Sequence, residues 1–248
     1  MQFDFHGETI RVNLPGRPAL DAAVSERLAA RKGFALATVN LDHLAKLRES
    51  PGFARAYAGQ DFITADGRPI VWLSRLAGRP VELLPGSDLV VPLCRMAADA
   101  GVPVALVGST DAALEDARGY LTARIPGLEV PLCIAPSVPF DPDGEEAAEI
   151  LHRLEAAGIG LCLLALGAPR QEALALRGRS LAPGVGFASI GAGLDFLGGH
   201  QRRAPLWMRR AGLEWLWRAL SSPRRLVPRY AACAAILPGE IRRARRQR

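Results

Sequence analysis

Short apolar runs that alternate with longer amphipathic stretches constrain the fold of this 248-residue chain more than any other feature. Runs of this length are typical of strands that are buried on both faces of a parallel sheet. The predicted strands are FALATVN (34–40), PVALVGS (103–109), LCLLALG (161–167), VGFASIGAG (185–193) and, more weakly because of its prolines, LEVPLCIAP (128–136). Predicted helices lie over 41–49, 87–100, 111–125, 144–157 and 169–179. The alternation predicts an α/β fold, with a mostly parallel sheet and helices on both faces.

Polar and glycine residues follow several of these strands, at the sheet edge where open α/β sheets bind their ligands. The candidate binding residues are Thr38, Asn40, Gly167, Arg170, Gln171, Gly191 and Asp195. In GAPRQE (167–172), a glycine turn and a proline precede the first turn of a predicted helix. Such a helix start favours an anion such as a diphosphate. An ordinary turn between a strand and a helix explains the same pattern, so both interpretations stay open.

An aspartate in TADGRPIVW (64–72) is the candidate catalytic base. Asp66 follows a short apolar stretch, and a carboxylate at a strand end can accept a proton from a reacting hydroxyl. Asp-Gly is also a common turn, which is the alternative interpretation. PGSDLV (85–90) predicts a helix start with Ser87 as its cap, and DPDG (141–144) predicts a turn rather than a pair of metal ligands.

Composition and motif content limit the classes of protein. No apolar run approaches the roughly 18 residues that span a bilayer, and the first residues lack the apolar segment of a signal peptide. The four cysteines lie scattered in apolar runs and the four histidines show no ligand-like spacing. We therefore expect buried, reduced thiols, a cytoplasmic location and no metal site. Neither a full GxGxxG nor a GxxxxGK[ST] loop occurs in the sequence.

The positive charge is concentrated at the carboxyl end, although the formal net charge of the whole chain is only +6. Residues 201–248 hold 13 arginines against two acids, whereas residues 1–200 are net acidic. We therefore predict a core over 1–200 and a basic, Trp/Arg-rich appendage over 201–248. In the appendage, a helical face that can dock on the core is formed by Leu213, Leu216, Trp217 and Leu220. Trp215 lies opposite that face near Arg218, Ser221-Ser222-Pro223 ends the helix, and the last residues are predicted to fray.

Three interpretations of the appendage are open: a nucleic-acid-binding segment, a peripheral membrane segment, or a docked helix with a solvated charged face. Its high apolar content and the acidic core favour an anionic membrane surface over nucleic acid. For the whole chain, the alternatives are a nucleotide-dependent oxidoreductase and a non-catalytic nucleic-acid-binding protein.

Six motifs, taken in order, resemble the WecG/TagA/CpsF glycosyltransferases, glycosyltransferase family 26. They cover about residues 35–230 and are TVN (38–40), TADGRPIVW (64–72), GSDL (86–89), LGAPRQE (166–172), GAGLDFLGG (191–199) and RRAPLWMRRAGLEWLWRALSSPRR (202–225). The resemblance implies a Rossmann-like core of the kind called GT-E. It also implies an inverting, metal-independent transfer of a sugar from a UDP-sugar to a polyprenyl-diphosphate-linked sugar, without a cofactor. The product would be a bacterial surface polysaccharide such as common antigen, teichoic acid, capsule or exopolysaccharide, made at the inner face of the cytoplasmic membrane.

The resemblance also assigns roles to single residues. Asp66 matches the proposed general base, and polar residues of the substrate pocket are matched by Thr38, Asn40 and Gln171. Basic residues that face the lipid diphosphate are matched by Arg218 and Arg225, and the same surface is assigned to their neighbours Arg224, Arg229 and Trp215.

One position departs from the family pattern. Many members have an arginine where this chain has Leu83, so its charge must be absent or supplied by another residue, with Arg79 as the candidate. The resemblance leaves open the donor sugar, the acceptor sugar, the linkage and the oligomeric state. A homo-oligomer is compatible with the sequence.

Overall fold

The computed structural model describes residues 1–197, 199, 204–205, 207–208, 214–221 and 223–248. Its strands are β1 (Gln2–Phe5), β2 (Glu8–Arg11), β3 (Phe34–Val39), β4 (Phe62–Ala65), β5 (Val104–Gly108), β6 (Leu132–Ile134), β7 (Leu161–Ala165) and β8 (Gly186–Ser189). The strands β3 to β8 form one parallel sheet in the order β4-β3-β8-β7-β5-β6. The strands β1 and β2 pair antiparallel as a separate hairpin. The predicted α/β fold, Rossmann-like with a parallel sheet, is confirmed.

The helices are α1 (Arg17–Ala29), α2 (Leu41–Glu49), α3 (Pro51–Ala58), α4 (Arg68–Leu76), α5 (Gly86–Asp99), α6 (Asp111–Arg124), α7 (Glu145–Ala156), α8 (Arg170–Leu181), α9 (Gly193–Leu197), α10 (Glu214–Ser221) and α11 (Pro223–Arg246). All five predicted helices are present, with ends within two residues of the prediction. Thr110 caps α6 by accepting a hydrogen bond from the N–H of Ala113. The prediction that Ser87 caps α5 is wrong, because the helix already begins at Gly86 and Pro85 precedes it.

Consecutive residues of the sheet strands point to opposite faces, and each face carries its own helices. Leu36, Leu106 and Leu163 pack on one face with the buried residues of α1, α5 and α6. Ala35, Val107 and Cys162 pack on the other face with those of α7 and α8. The strands are therefore apolar without interruption because both of their faces are covered.

A third apolar cluster lies at the β4 side of the sheet. Residues of the β1–β2 hairpin pack there against α2, α3 and α4. Sequence analysis missed the hairpin, although buried and more exposed residues alternate along its two strands. The strands are joined by His6-Gly7, both of which have positive φ angles (52° and 82°). A two-residue turn of this kind matches the right-handed twist of paired strands.

The carboxyl-terminal helix α11 packs against α2 and α4. Ala244 is buried in the third cluster, and Ile236 and Ile241 pack on it. The expected fraying of the last residues is wrong: the Gln247 side chain exchanges two hydrogen bonds with the backbone of Gln2, at 2.6 and 3.1 Å. The division of the chain near residue 200 stays a prediction, and α11 is in contact with the core.

The short helix α10 ends at Ser221 and α11 begins at Pro223, as the Ser-Ser-Pro sequence predicts. The predicted docking face is only partly correct. Leu213 lies outside the described residues, and Leu220 is 71% exposed, whereas the neighbouring Ala219 is buried. No helix in the described part of the chain is long and apolar enough to cross a membrane.

Candidate active site

The carboxyl ends of β3 and β4 bring Asn40 and Asp66 together. The side-chain oxygen of Asn40 accepts a hydrogen bond from the N–H of His43 at 3.0 Å and so caps α2. The same amide donates through Nδ2 to Oδ2 of Asp66 at 3.3 Å. The backbone N–H of Asp66 donates to the carbonyl oxygen of Val39 at 2.8 Å. Because both its backbone and its carboxylate are engaged, the half-buried Asp66 has a defined position at the sheet edge, just before α4.

Beneath Asn40 lies a buried polar group that sequence analysis missed. The Tyr57 hydroxyl donates to the carbonyl oxygen of Thr38 at 2.8 Å, and Nδ1 of His43 lies 3.0 Å from that oxygen and 2.8 Å from the hydroxyl. Burial lowers the pKa of His43 to about 4. Burial also raises the pKa of Tyr57 well above its usual value. Both rings are therefore neutral at pH 7 and stabilise the end of β3 through hydrogen bonds rather than charge.

Thr38 itself supports this edge from within the sheet. Its side chain is buried, and its register partner on β4 is Thr64. Thr38 is the second-to-last residue of β3, so it lies within the sheet, below Asn40 and Asp66.

A second buried pair connects the turns that follow β7 and β8. Oε1 of Gln171 accepts a hydrogen bond from the N–H of Gly191 at 3.2 Å, and its Nε2 donates to Oε1 of Glu172 at 2.8 Å. Gln171 is only 3% exposed and Glu172 is fully buried. Burial raises the pKa of Glu172 to about 7, and the hydrogen bond from Gln171 opposes that rise. Sequence analysis selected Gln171 and Gly191 but missed Glu172, because an acid in a first helical turn has an ordinary explanation.

The GAPRQE segment forms the predicted turn and helix start. Gly167 has a φ of 72°, which favours glycine, and its carbonyl oxygen accepts from the N–H of Gln171 at 3.2 Å. Arg170 is exposed and is the first residue of α8. Lys46 of α2 reaches the carbonyl oxygen of Ala168 at 3.3 Å. Two cationic side chains therefore lie near this turn, while anion binding there stays a prediction.

Asp195 lies at a different part of the edge from Asp66. Its carboxylate accepts a hydrogen bond from the hydroxyl of Ser109, which follows β5 and has a φ of 56°. Asp66 follows β4, four strands away, which at about 4.8 Å per strand corresponds to roughly 19 Å. The two carboxylates therefore lie at separate parts of the carboxyl edge of the sheet.

Leu83 adjoins the candidate base, but Arg79 does not. Leu83 forms a bridge with Ala65, the residue before Asp66, and is 39% exposed. Arg79 follows the carboxyl end of α4, whereas Asp66 precedes its amino end, and a nine-residue helix is about 13 Å long. The pKa of the Met1 amino group is lowered by burial, which is the larger cause, and also by the charge of Arg79. The suggestion that Arg79 replaces the missing arginine stays a prediction.

The basic residues of the carboxyl-terminal helices have different environments. Nη2 of Arg229 lies 2.6 Å from Oδ2 of Asp42 in α2, so this arginine has a partner within the protein. Arg224 is exposed. Trp215 is 51% exposed and packs edge-on against Tyr230, with ring centroids 5.9 Å apart. The side chains of Arg218 and Arg225 lie outside the described residues. The assignment of these residues to a lipid diphosphate stays a prediction.

Within the described residues, no group of three or more His, Cys, Asp or Glu side chains could hold a metal ion. The four cysteines are free, and three are buried as expected, whereas Cys133 is only half-buried.

A parallel sheet with a fixed carboxylate, a helix start and glycine turns along its carboxyl edge defines the class, an α/β protein of Rossmann-like architecture. In such proteins, ligands commonly bind at this edge. The particular family follows from the sequence: the chain belongs to the glycosyl transferase WecG/TagA/CpsF family, whose sequence model matches residues 9–248. The protein is therefore a glycosyltransferase. This decides the class against the oxidoreductase and nucleic-acid-binding alternatives. The match extends beyond the six motifs to most of β2 and to the end of α11.

Proposed function

We propose that this protein is an inverting glycosyltransferase that moves a sugar from a UDP-sugar to a sugar linked to a polyprenyl diphosphate. The product belongs to a bacterial surface polysaccharide. Family membership supports sugar transfer. The observation that carries the mechanism is the carboxylate of Asp66, which the amide of Asn40 holds at the carboxyl edge of the sheet.

In the proposed reaction, Asp66 accepts the proton of an acceptor hydroxyl. The hydroxyl oxygen attacks the anomeric carbon of the donor from the face opposite UDP. The new C–O bond forms as the bond to the diphosphate oxygen breaks, and UDP leaves with that electron pair. One displacement inverts the anomeric configuration. His43 and Tyr57 lie beneath this position, and burial lowers the pKa of His43 to about 4, which makes its imidazole a poor proton acceptor.

The start of α8 is the proposed location of the donor diphosphate. Negative charge that develops on UDP is stabilised there by the helix N-terminus and by the exposed guanidinium of Arg170. By family resemblance, the reaction needs neither a metal ion nor a cofactor.

The carboxyl-terminal helices are the proposed contact with the anionic inner face of the cytoplasmic membrane. The half-exposed indole of Trp215 and the exposed apolar side chains of Leu220 and Val227 suit the headgroup region. Arg224 is exposed beside them and can meet an acidic headgroup or the acceptor diphosphate.

The test is a UDP-release assay with a panel of UDP-sugars and a short-chain lipid-diphosphate sugar, run in EDTA. We expect one donor to support turnover without added metal. Asp66→Asn keeps the shape of the side chain but removes the base, so kcat should fall by roughly 10²–10⁴-fold with an unchanged melting temperature.

Asp99→Asn is the matched control, because Asp99 is exposed at the far end of α5. It should leave kcat unchanged. Equal turnover by Asp66→Asn and the wild type would refute the role of Asp66, and retention of configuration at the product's anomeric carbon would refute the single displacement.

A further inference from the structure

One buried side chain connects two separate turns of the site. Gln171 stands in the first turn of α8, after β7, and Gly191 follows β8, the neighbouring strand. The amide of Gln171 uses its oxygen toward Gly191 and its nitrogen toward Glu172. A residue that resembles a substrate contact in the sequence therefore has both ends of its amide engaged within the protein.

The two neighbours of Gln171 demand the same amide orientation. Gly191 offers an N–H, which needs an acceptor, and Glu172 offers a carboxylate oxygen, which needs a donor when it is ionised. A flipped amide would place its NH₂ against the N–H of Gly191 and its oxygen against the carboxylate of Glu172. The flipped contact with Gly191 is repulsive in either state of Glu172, and the flipped contact with Glu172 is repulsive when its carboxyl group is ionised. Glu172 therefore favours the orientation in which Oε1 of Gln171 accepts from Gly191.

Two residues after Gly191, the chain packs closely against α5 at Gly193. Gly191 has a φ of 59°, and a Cβ on Gly193 would come within 2.8 Å of Val90 in α5. Gly193 begins α9, which carries Asp195. A change in the position of Gly191 would therefore be transmitted to α9 and to the part of the edge near Asp195.

We propose that Glu172 is a positioning residue: by accepting a hydrogen bond from Gln171, it orients that amide so that Gln171 holds Gly191 and the turn that leads into α9. The Gln171–Glu172 bridge thus fixes the shape of the substrate site without touching substrate. This inference rests on the proposed function only for its effect on turnover.

The environment of Glu172 supports this role. Its second carboxylate oxygen is buried and has no hydrogen-bond partner among the described residues. Burying a carboxyl group without full compensation destabilises a protein. The hydrogen bond from Gln171 to Oε1 of Glu172 compensates part of the free energy that is lost when this carboxyl group is buried.

The primary test reads the Gly191 amide directly and needs no activity. Labelling with [¹³C′]Ile and [¹⁵N]Gly selects Ile-Gly pairs, of which the sequence has two, Ile159-Gly160 and Ile190-Gly191. The Gly160 amide donates to the carbonyl oxygen of Pro103 at 2.9 Å at the opposite edge of the sheet and is an internal control. The variant Ile159→Val removes the Gly160 signal and assigns the other one.

In Glu172→Leu we expect the Gly191 amide to move upfield and to exchange at least about tenfold faster with solvent, while Gly160 is unchanged. Glu172→Gln keeps an acceptor for Gln171, so its Gly191 amide should resemble the wild type. The inference is overturned if Gly191 is unchanged in Glu172→Leu, or if Glu172→Gln perturbs it equally.

A swap variant separates positioning from direct contact and remains informative should Glu172→Leu fail to fold. In Gln171→Glu/Glu172→Gln, the new carboxylate at 171 accepts from Gly191 and from the new amide at 172, which restores the bonding pattern. Gln171→Glu alone sets two carboxyl groups side by side, so we expect kcat/KM to fall roughly 10- to 100-fold, with recovery to within about threefold in the swap. A swap as inactive as the single variant would show that the Gln171 amide itself contacts substrate, which would overturn the inference.

Discussion

Helix α2 has buried polar residues on two sides, and the two sides are stabilised in opposite ways. Toward the sheet, His43 is neutral and belongs to a group of hydrogen bonds with Tyr57 and the backbone of β3. Toward α11, Asp42 pairs with Arg229, and Arg48 pairs with the fully buried carboxylate of Glu240. One side suppresses charge beneath the candidate active site, and the other uses charge to hold the carboxyl-terminal helix.

The difference follows from access to water. The arginines and Lys46 on the α11 side keep between a third and a half of their side chains exposed, so water reaches them while they pair with the acids. The groups beneath the site have no such access, and burial shifts their pKa values toward the neutral form. The following predictions test this distinction, in order of decreasing effect.

The largest effect concerns Glu172, whose folded-state pKa of about 7 lies above its ordinary value of 4.5. The folded state then holds this proton more tightly, so the stabilisation from the protonated acid is present below pH 4.5 and is lost as the pH rises through 7. Glu172→Gln removes this loss. The difference in free energy of unfolding between Glu172→Gln and the wild type, measured by urea unfolding, should therefore change in favour of the variant by on the order of 3 kcal/mol from pH 5 to pH 8.

His43 gives the opposite pH dependence in the same range. Its folded-state pKa of about 4 lies below the usual 6.5, so the unfolded state takes up a proton first and stability falls with acid. In the wild type, the titrations of Glu172 and His43 partly cancel in the pH dependence of stability. In Glu172→Gln, the loss of stability at acidic pH that His43 causes should therefore become visible. A Glu172→Gln difference that is the same at pH 5 and pH 8, like that of the exposed control Glu129→Gln, would contradict the neutral character of this side.

A smaller effect is expected when the ion pair with α11 is broken. Arg48→Met leaves the carboxylate of Glu240 buried with Arg243 at 3.2 Å as its remaining ion-pair partner among the described residues. Because that partner remains, we expect a loss of about 2 kcal/mol in the free energy of unfolding, below the range for a fully unpaired buried charge. Arg55→Met, at an exposed arginine of α3, is the control. Equal stability of both variants would show that the pair does not hold α11.

The smallest effect is expected at Asp42. Asp42→Asn weakens the pairs with Arg229 and Lys46, at 2.6 and 3.0 Å, but both cations can turn to water. We expect a loss of about 1 kcal/mol that diminishes in 1 M salt. The comparison is with Asp99→Asn, measured in low and high salt. A loss that salt does not reduce would mean that Asp42 acts through hydrogen bonding rather than charge.

The comparison also separates what sequence patterns reveal from what they miss. Asn40, Asp66, Gly167 and Gly191 were found because each stands where an apolar run ends, and the sheet order then brought Asn40 to Asp66. Tyr57 was missed because its partner, the backbone of Thr38, becomes its neighbour only through packing. Glu172 was missed because an acid in a first helical turn has an ordinary explanation, and only packing buries its carboxyl group.

By itself, the sequence determined the α/β alternation, the helix starts and the family, because each depends on local spacing and on residue order. Only the tertiary structure decided which polar side chains keep their charge, which amides are already engaged and which arginines remain exposed. Burial and hydrogen-bond partners control these properties, and they arise when segments far apart in the chain pack against one another.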